Sequence, residues 1–127
     1  MPSRGEIWLA NLSPRRGTEA GKTRPVLVVQ AQALLETGHP STLVVPLTTR
    51  LVDDAEPLRV RVRAADRLRS HSDLLIDQVR AIDNRRLVRG PMLRLTPGVM
   101  RTIERALRDV LDLTEDTKSA LQEDPRK

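Results

Sequence analysis

At 127 residues the chain has room for one compact domain and not for two independently filled cores. It has no cysteine and a single aromatic residue, Trp8; this excludes disulfides and thiolate metal sites and removes the base-stacking platforms of RRM or typical OB-fold modules. A formal net charge of +5, from 22 Lys and Arg against 17 Asp and Glu, fits a polyanionic partner without proving one.

Residues 6–12 read as a first strand after Gly5. The next stretch, Ser13 to Thr23, holds Pro14, Gly17 and Gly21 among charged residues. It is a turn-rich loop, long for a hairpin connection, and loops of that size usually serve a purpose. The unbroken apolar run at 25–30 predicts a strand buried on both faces. Residues 31–36 suit a short helix ended by Gly38 and Pro40. Another strand is expected at 42–49, with Pro46 demanding an edge, a bulge or a strand end.

From Leu58 to Arg63 apolar and basic residues alternate strictly, giving one aliphatic face and one carrying Arg59, Arg61 and Arg63. Those arginines read most simply as protection for an exposed edge strand. Residues 73–82 suggest two short strands with a bend near Asp77-Gln78. Thr96 is placed to cap a helix whose first turn holds Pro97. Val99, Met100, Ile103, Ala106, Leu107, Val110 and Leu111 then form one apolar stripe at helical spacing, fit for the core or a dimer interface. The pattern predicts a β-rich α+β domain over 1–113, a barrel-like sheet packed by a C-terminal amphipathic helix, followed by a polar tail at 114–127. No apolar run approaches the ~20 residues of a membrane span. The opening residues lack the apolar stretch of a signal peptide, so a cytoplasmic chain is the expectation. Two histidines, His39 and His71, cannot build a His-rich zinc site, and neither a metal nor a cofactor is expected.

Several landmarks occur in a fixed order: Arg4-Gly5-Glu6-Ile7-Trp8, Asn11-Leu12-Ser13-Pro14, Gly17-Thr18-Glu19 and Lys22-Thr23-Arg24-Pro25-Val26. Val45-Pro46-Leu47-Thr48, Asp77-Gln78-Val79-Arg80-Ala81-Ile82-Asp83 and Arg86-Leu87 complete the set. The succession resembles the MazF/PemK toxin family from residue 4 to about 113. The resemblance implies an SH3-like barrel of the MazF/PemK/CcdB type, a homodimer, a cognate MazE-like antitoxin, and sequence-specific cleavage of single-stranded messenger RNA. It further implies metal-independent attack by the substrate's own 2′-hydroxyl, leaving 2′,3′-cyclic phosphate and 5′-hydroxyl ends.

Such a cleavage must accept a proton from the 2′-hydroxyl, stabilise added charge on phosphorus and protonate the 5′ oxygen. In an arbitrary chain Arg24 is an exposed strand-edge arginine and Thr48 a β-forming residue with a satisfied hydroxyl. The resemblance makes them the catalytic pair, a guanidinium and an alcohol on one phosphate. Glu19 and Asp77 are the carboxylates available for acid–base or positioning work, and each reads equally as a surface carboxylate. Leu75 stands where a branch of the family with that aspartate has a basic residue, which moves the expectation toward Arg24 with Thr48. Thr18, Lys22, Thr49, Ser72 and Gln78 are the matched RNA contacts, Gln78 with an amide able to read a base edge or to cap a turn. His71 and His39 match nothing in the family and read as loop residues.

Two other classes fit the same fold. A non-enzymatic CcdB-like gyrase poison needs an apolar, aromatic C-terminal ending, and this chain ends Glu123-Asp124-Pro125-Arg126-Lys127. A basic nucleic-acid-binding module without catalysis predicts that replacing Arg24 or Thr48 alters affinity alone.

Overall fold

A computed structural model of the chain describes residues 1–13, 17, 18 and 22–113. The seven strands are β1 (Glu6–Asn11), β2 (Thr23–Val28), β3 (Ser41–Thr48), β4 (Arg59–Val62), β5 (Ser72–Leu75), β6 (Arg80–Asp83) and β7 (Leu87–Arg94). Two helices, α1 (Gln32–Glu36) and α2 (Pro97–Leu111), complete the described elements, with single 3-10 turns at Ile76–Gln78 and Asn84–Arg86. All pairings are antiparallel, in the order β4-β5-β3-β2-β1-β7, and β6 also pairs with β3.

The apolar run on β2 is enclosed as expected: Val26, Leu27 and Val28 are wholly buried. Side chains alternate across a strand, so a strand buried throughout needs cover on both sides. One cover is α2, whose Met100, Ile103 and Ala106 pack with Ile7, Leu27, Val45 and Leu47. The other is a smaller cluster in which Leu75 and Ile82 join Ala10, Leu12, Val26 and Val44. Both are aliphatic apart from the methionine. The helix begins as the sequence indicates: the Thr96 hydroxyl accepts the Val99 N–H at 3.3 Å, and Pro97 follows the cap. Leu111, at the far end of the stripe, is 52% exposed and lies outside the core.

Pro46 departs from expectation. It is buried inside β3, opposite Val26 of β2, and not at an edge or strand end. On its other side β3 pairs with β6 up to Val44 and with β5 from Leu47. Pro46 lies where that ladder changes partner, so its missing N–H leaves no rung unfilled. The bend at Asp77-Gln78 is the 3-10 turn between β5 and β6. β4 is a terminal strand of the sheet, with Val60 and Val62 buried, while Leu58 stays outside it at 52% exposure. The tail expected at 114–127 lies outside the described residues.

β7 has no counterpart in the sequence reading. Its Gly90-Pro91 pair reads as a break, yet the strand runs through it against β1, with register shifts between Ile7 and Ala10. Gly90 is required there by close approach: a Cβ would come within 2.4 Å of Trp8 Cδ2 and 2.6 Å of Cγ. The indole is held in place by its Nε1–H, which donates to Glu6 Oε1 at 3.1 Å, and Glu6 is itself paired with Arg94. Gly90→Ala is therefore expected to destabilise the fold by about 1–3 kcal/mol through overpacking. Thermal denaturation checks this, with the loss partly relieved when Trp8 is also replaced by leucine; an unchanged melting temperature would refute the contact.

Candidate active site

Arg24 is the second residue of β2 and Thr48 the last of β3. Their strands pair as Val26 with Pro46, Leu27 with Val45 and Val28 with Val44, and continuing this register sets Arg24 opposite Thr48. Residues directly opposite in an antiparallel pair project to the same face with neighbouring Cβ atoms. One contact of the Arg24 guanidinium fixes the proximity: Nη1 donates to the carbonyl of Leu47, the residue before Thr48, at 3.3 Å. Both side chains are half-buried. A cation and an alcohol 24 residues apart in sequence are thus placed at the same end of the β2–β3 pair.

Thr48 also borders an open cleft of about 660 Å³. Thr49, Ser70 and Ser72 add hydroxyls to its wall, Arg67, Arg69 and Arg89 add guanidiniums, and Pro25, Leu68 and Met92 are among its apolar residues. Ser72 is almost fully buried, and its hydroxyl donates to the Ser70 carbonyl at 3.0 Å. The sequence reading singled out Thr48, Thr49 and Ser72 here but missed the three arginines, which only folding gathers: Arg67 and Arg69 come from the β4–β5 connection and Arg89 from the unforeseen β7.

Profile comparison places the chain among known proteins. Residues 3–111 match the family described as PemK-like, MazF-like toxin of type II toxin-antitoxin system. The chain belongs to this family. Its fold is shared with solved structures at low identity. The Mycobacterium tuberculosis toxin MazF-mt6 superposes with a TM-score of 0.70 at 23% identity, covering 86% of this chain and 98% of that one. MazF from Deinococcus radiodurans gives 0.73 at 23%, covering 88% and 97%. A mycobacterial endoribonuclease in complex with its cognate antitoxin gives 0.69 at 22%, covering 90% and 98%.

In this PemK/MazF-like chain the remaining candidates gather elsewhere. Thr18, Asp77 and Gln78 line a second cleft of about 460 Å³ with Val79 and Arg80. Gln78 Nε2 donates to the Thr18 carbonyl at 3.1 Å, tying the 3-10 turn to the β1–β2 connection. Arg86, a landmark given no role in the sequence reading, secures the start of the same connection by donating to the carbonyls of Asn11 at 3.2 Å and Ser13 at 2.8 Å. Lys22 is exposed at its far end, with φ of 65° and its carbonyl accepting the Leu12 N–H. Glu19 lies outside the described residues. The two histidines sit in loops: His71 Nδ1 accepts the Ala64 N–H at 2.9 Å, and the His39 carbonyl accepts from Asn84.

The basic stripe on β4 is not simply a solvated edge. Arg59 and Arg61 both turn onto Asp73, a β5 carboxylate only 1% exposed. Burial acts to raise the Asp73 pKa, but hydrogen bonds from Arg61, the Val52 N–H and Arg59 outweigh it and hold the group below its ordinary value. Asp83, beside Arg85, is lowered to about 2 by that residue's side chain and N–H. Among the described residues no three His, Cys, Asp or Glu are grouped to hold a metal ion, and no helix is long and apolar enough to cross a membrane.

Proposed function

We propose that the chain is the toxin of a type II toxin-antitoxin pair and acts as a sequence-specific, metal-independent endoribonuclease on single-stranded messenger RNA. The observation that carries this reading is the placement of Arg24 and Thr48 at the same end of neighbouring strands, with Thr48 bordering a cleft lined by arginines and hydroxyls.

In the proposed reaction the 2′-hydroxyl of the substrate attacks the adjacent phosphorus. The O2′–P bond forms, the P–O5′ bond breaks, and the products are a 2′,3′-cyclic phosphate and a 5′-hydroxyl. Negative charge builds on the phosphoryl oxygens as phosphorus becomes five-coordinate. The Arg24 guanidinium answers it with parallel N–H donors and the Thr48 hydroxyl with a third. Charge stabilisation is the role assigned first to Arg24, because a guanidinium gives up its proton reluctantly. For proton transfer or positioning the carboxylates available are Asp77, which lines the second cleft, and Glu19. Thr18, Lys22, Thr49, Ser72 and Gln78 are assigned to the RNA on either side of the cut.

The active species in this reading is a cytoplasmic homodimer. Its inhibitor is a MazE-like antitoxin whose acidic, partly disordered segment orders over the basic cleft and covers Arg24. The test is incubation of a single-stranded RNA pool in EDTA with mapping of the new 5′-hydroxyl ends. Ends at one short recurring sequence are the expected result. Uncut RNA would overturn the nuclease reading, cutting only without chelator would overturn metal independence, and cuts scattered over all sequences would overturn specificity.

A further inference from the structure

Asp73 is a buried carboxylate that the proposed cleavage does not use, and β5 sets it directly opposite Thr48. Its two oxygens gather the segment that follows Thr48. Oδ1 accepts from Arg61 Nε at 2.8 Å; Oδ2 accepts from the Val52 N–H at 2.9 Å and from Arg59 Nη1 at 3.3 Å. The same Arg59 nitrogen donates to the carbonyl of Arg50 at 2.7 Å. At its other end Arg50 donates its N–H to Thr48 Oγ1 at 3.2 Å. A continuous path therefore runs from the buried carboxylate through Arg59 and the Arg50 backbone to the threonine hydroxyl.

A hydroxyl offers one donor and two acceptor positions. With one acceptor position occupied by the Arg50 N–H, the proton and the remaining lone pair of Thr48 are directed elsewhere, and the cleft borders this residue. Were Arg50 to shift, the hydroxyl would rotate and its proton would lose that aim. On the reading of Thr48 as a phosphate contact, we propose that Arg59 is a positioning residue for RNA cleavage. Held by Asp73, it fixes the Arg50 backbone that orients the Thr48 hydroxyl. Displacements well under the length of a bond suffice to slow a reaction that depends on oriented donors.

A clamp that only stabilises the fold would show the same contacts, so the test must separate the two. Full-length wild type, Arg59→Met, Arg59→Lys, Thr48→Val and the Arg59→Met/Thr48→Val double variant are compared on a single-stranded RNA in EDTA. Circular dichroism checks folding, and kcat and KM are measured for each. Arg59→Met is expected to lower kcat about tenfold with KM within about twofold, and Arg59→Lys to recover part of the loss. In the Thr48→Val background the same Arg59→Met change should leave kcat unchanged within about twofold, because the hydroxyl it orients is gone. An equal loss in both backgrounds, an effect confined to KM, or an undiminished Arg59→Met rate overturns the proposal. If Arg59→Met does not fold, Arg59→Lys completes the cycle, with a loss expected only where Thr48 is present. RNA left intact by the wild type would instead sink the nuclease reading, a separate outcome of the same experiment.

Discussion

Arg24→Ala is expected to slow cleavage of single-stranded RNA in EDTA by about a thousandfold while leaving the fold intact, since one well-aimed donor to a charged transition state is worth roughly 10²–10³ in rate. The side chain lies near the start of β2, half-buried, with its guanidinium donating to the carbonyl of Leu47. Truncation removes the cation without opening a hole among Val26, Leu27 and Val28, which follow it into the core. Arg24→Lys keeps the charge but not the fork, so it should fall between the two. Single-turnover rates with circular dichroism decide the matter. A truncated variant that cuts at the wild-type rate would remove Arg24 from the site. One that keeps the rate at saturation but needs more RNA would make it a binding residue and favour a module that grips RNA without this catalysis.

Asp73→Ala should produce the largest loss of stability, about 2–3 kcal/mol, somewhat below the 3–5 kcal/mol for breaking a fully buried pair. The discount follows from the partners: the Arg59 and Arg61 side chains are 24% and 37% exposed and can turn to water once the carboxylate is gone. Denaturant unfolding measures the loss, and a difference below about 0.5 kcal/mol would place Asp73 among ordinary surface sites. The same group makes stability depend on pH. Its pKa is lowered on folding from an ordinary 3.8, so its contribution is complete above that value. The contribution fades as pH falls through the lower folded value. Asp83 acts in the same direction, between roughly its ordinary 3.8 and its folded value of about 2. Asp73→Asn should therefore flatten part of the acid limb of the stability curve and lower the curve near neutrality, where the carboxylate's contribution is complete.

Much of this architecture is legible in the residues because it rests on local patterns. An unbroken aliphatic run made β2 doubly covered, Thr96 and Pro97 marked the start of α2, and Asp77-Gln78 marked a bend. The ordered landmarks identified the family, and they are what singles out Arg24 and Thr48 as the proposed pair. What escaped depends on long-range partners. β7 hides behind Gly90-Pro91 because a turn dipeptide and a strand passing close under an indole look alike before the indole is placed. Pro46 reads as a strand end until one sees that β3 changes neighbours there. Arg59 and Arg61 meet Asp73 across 14 and 12 residues, a contact set by strand register that composition alone cannot reveal.

Trp8 has one more consequence. With no tyrosine and no other tryptophan in the chain, near-ultraviolet absorption and emission at the red edge come from this single indole. It rests on Gly90, and Gly90 borders the same cleft as Thr48. The protein thus carries its own optical gauge one residue behind the cleft wall, and unlabelled titrations with RNA or an inhibitory peptide can be followed by the colour and intensity of one fluorophore.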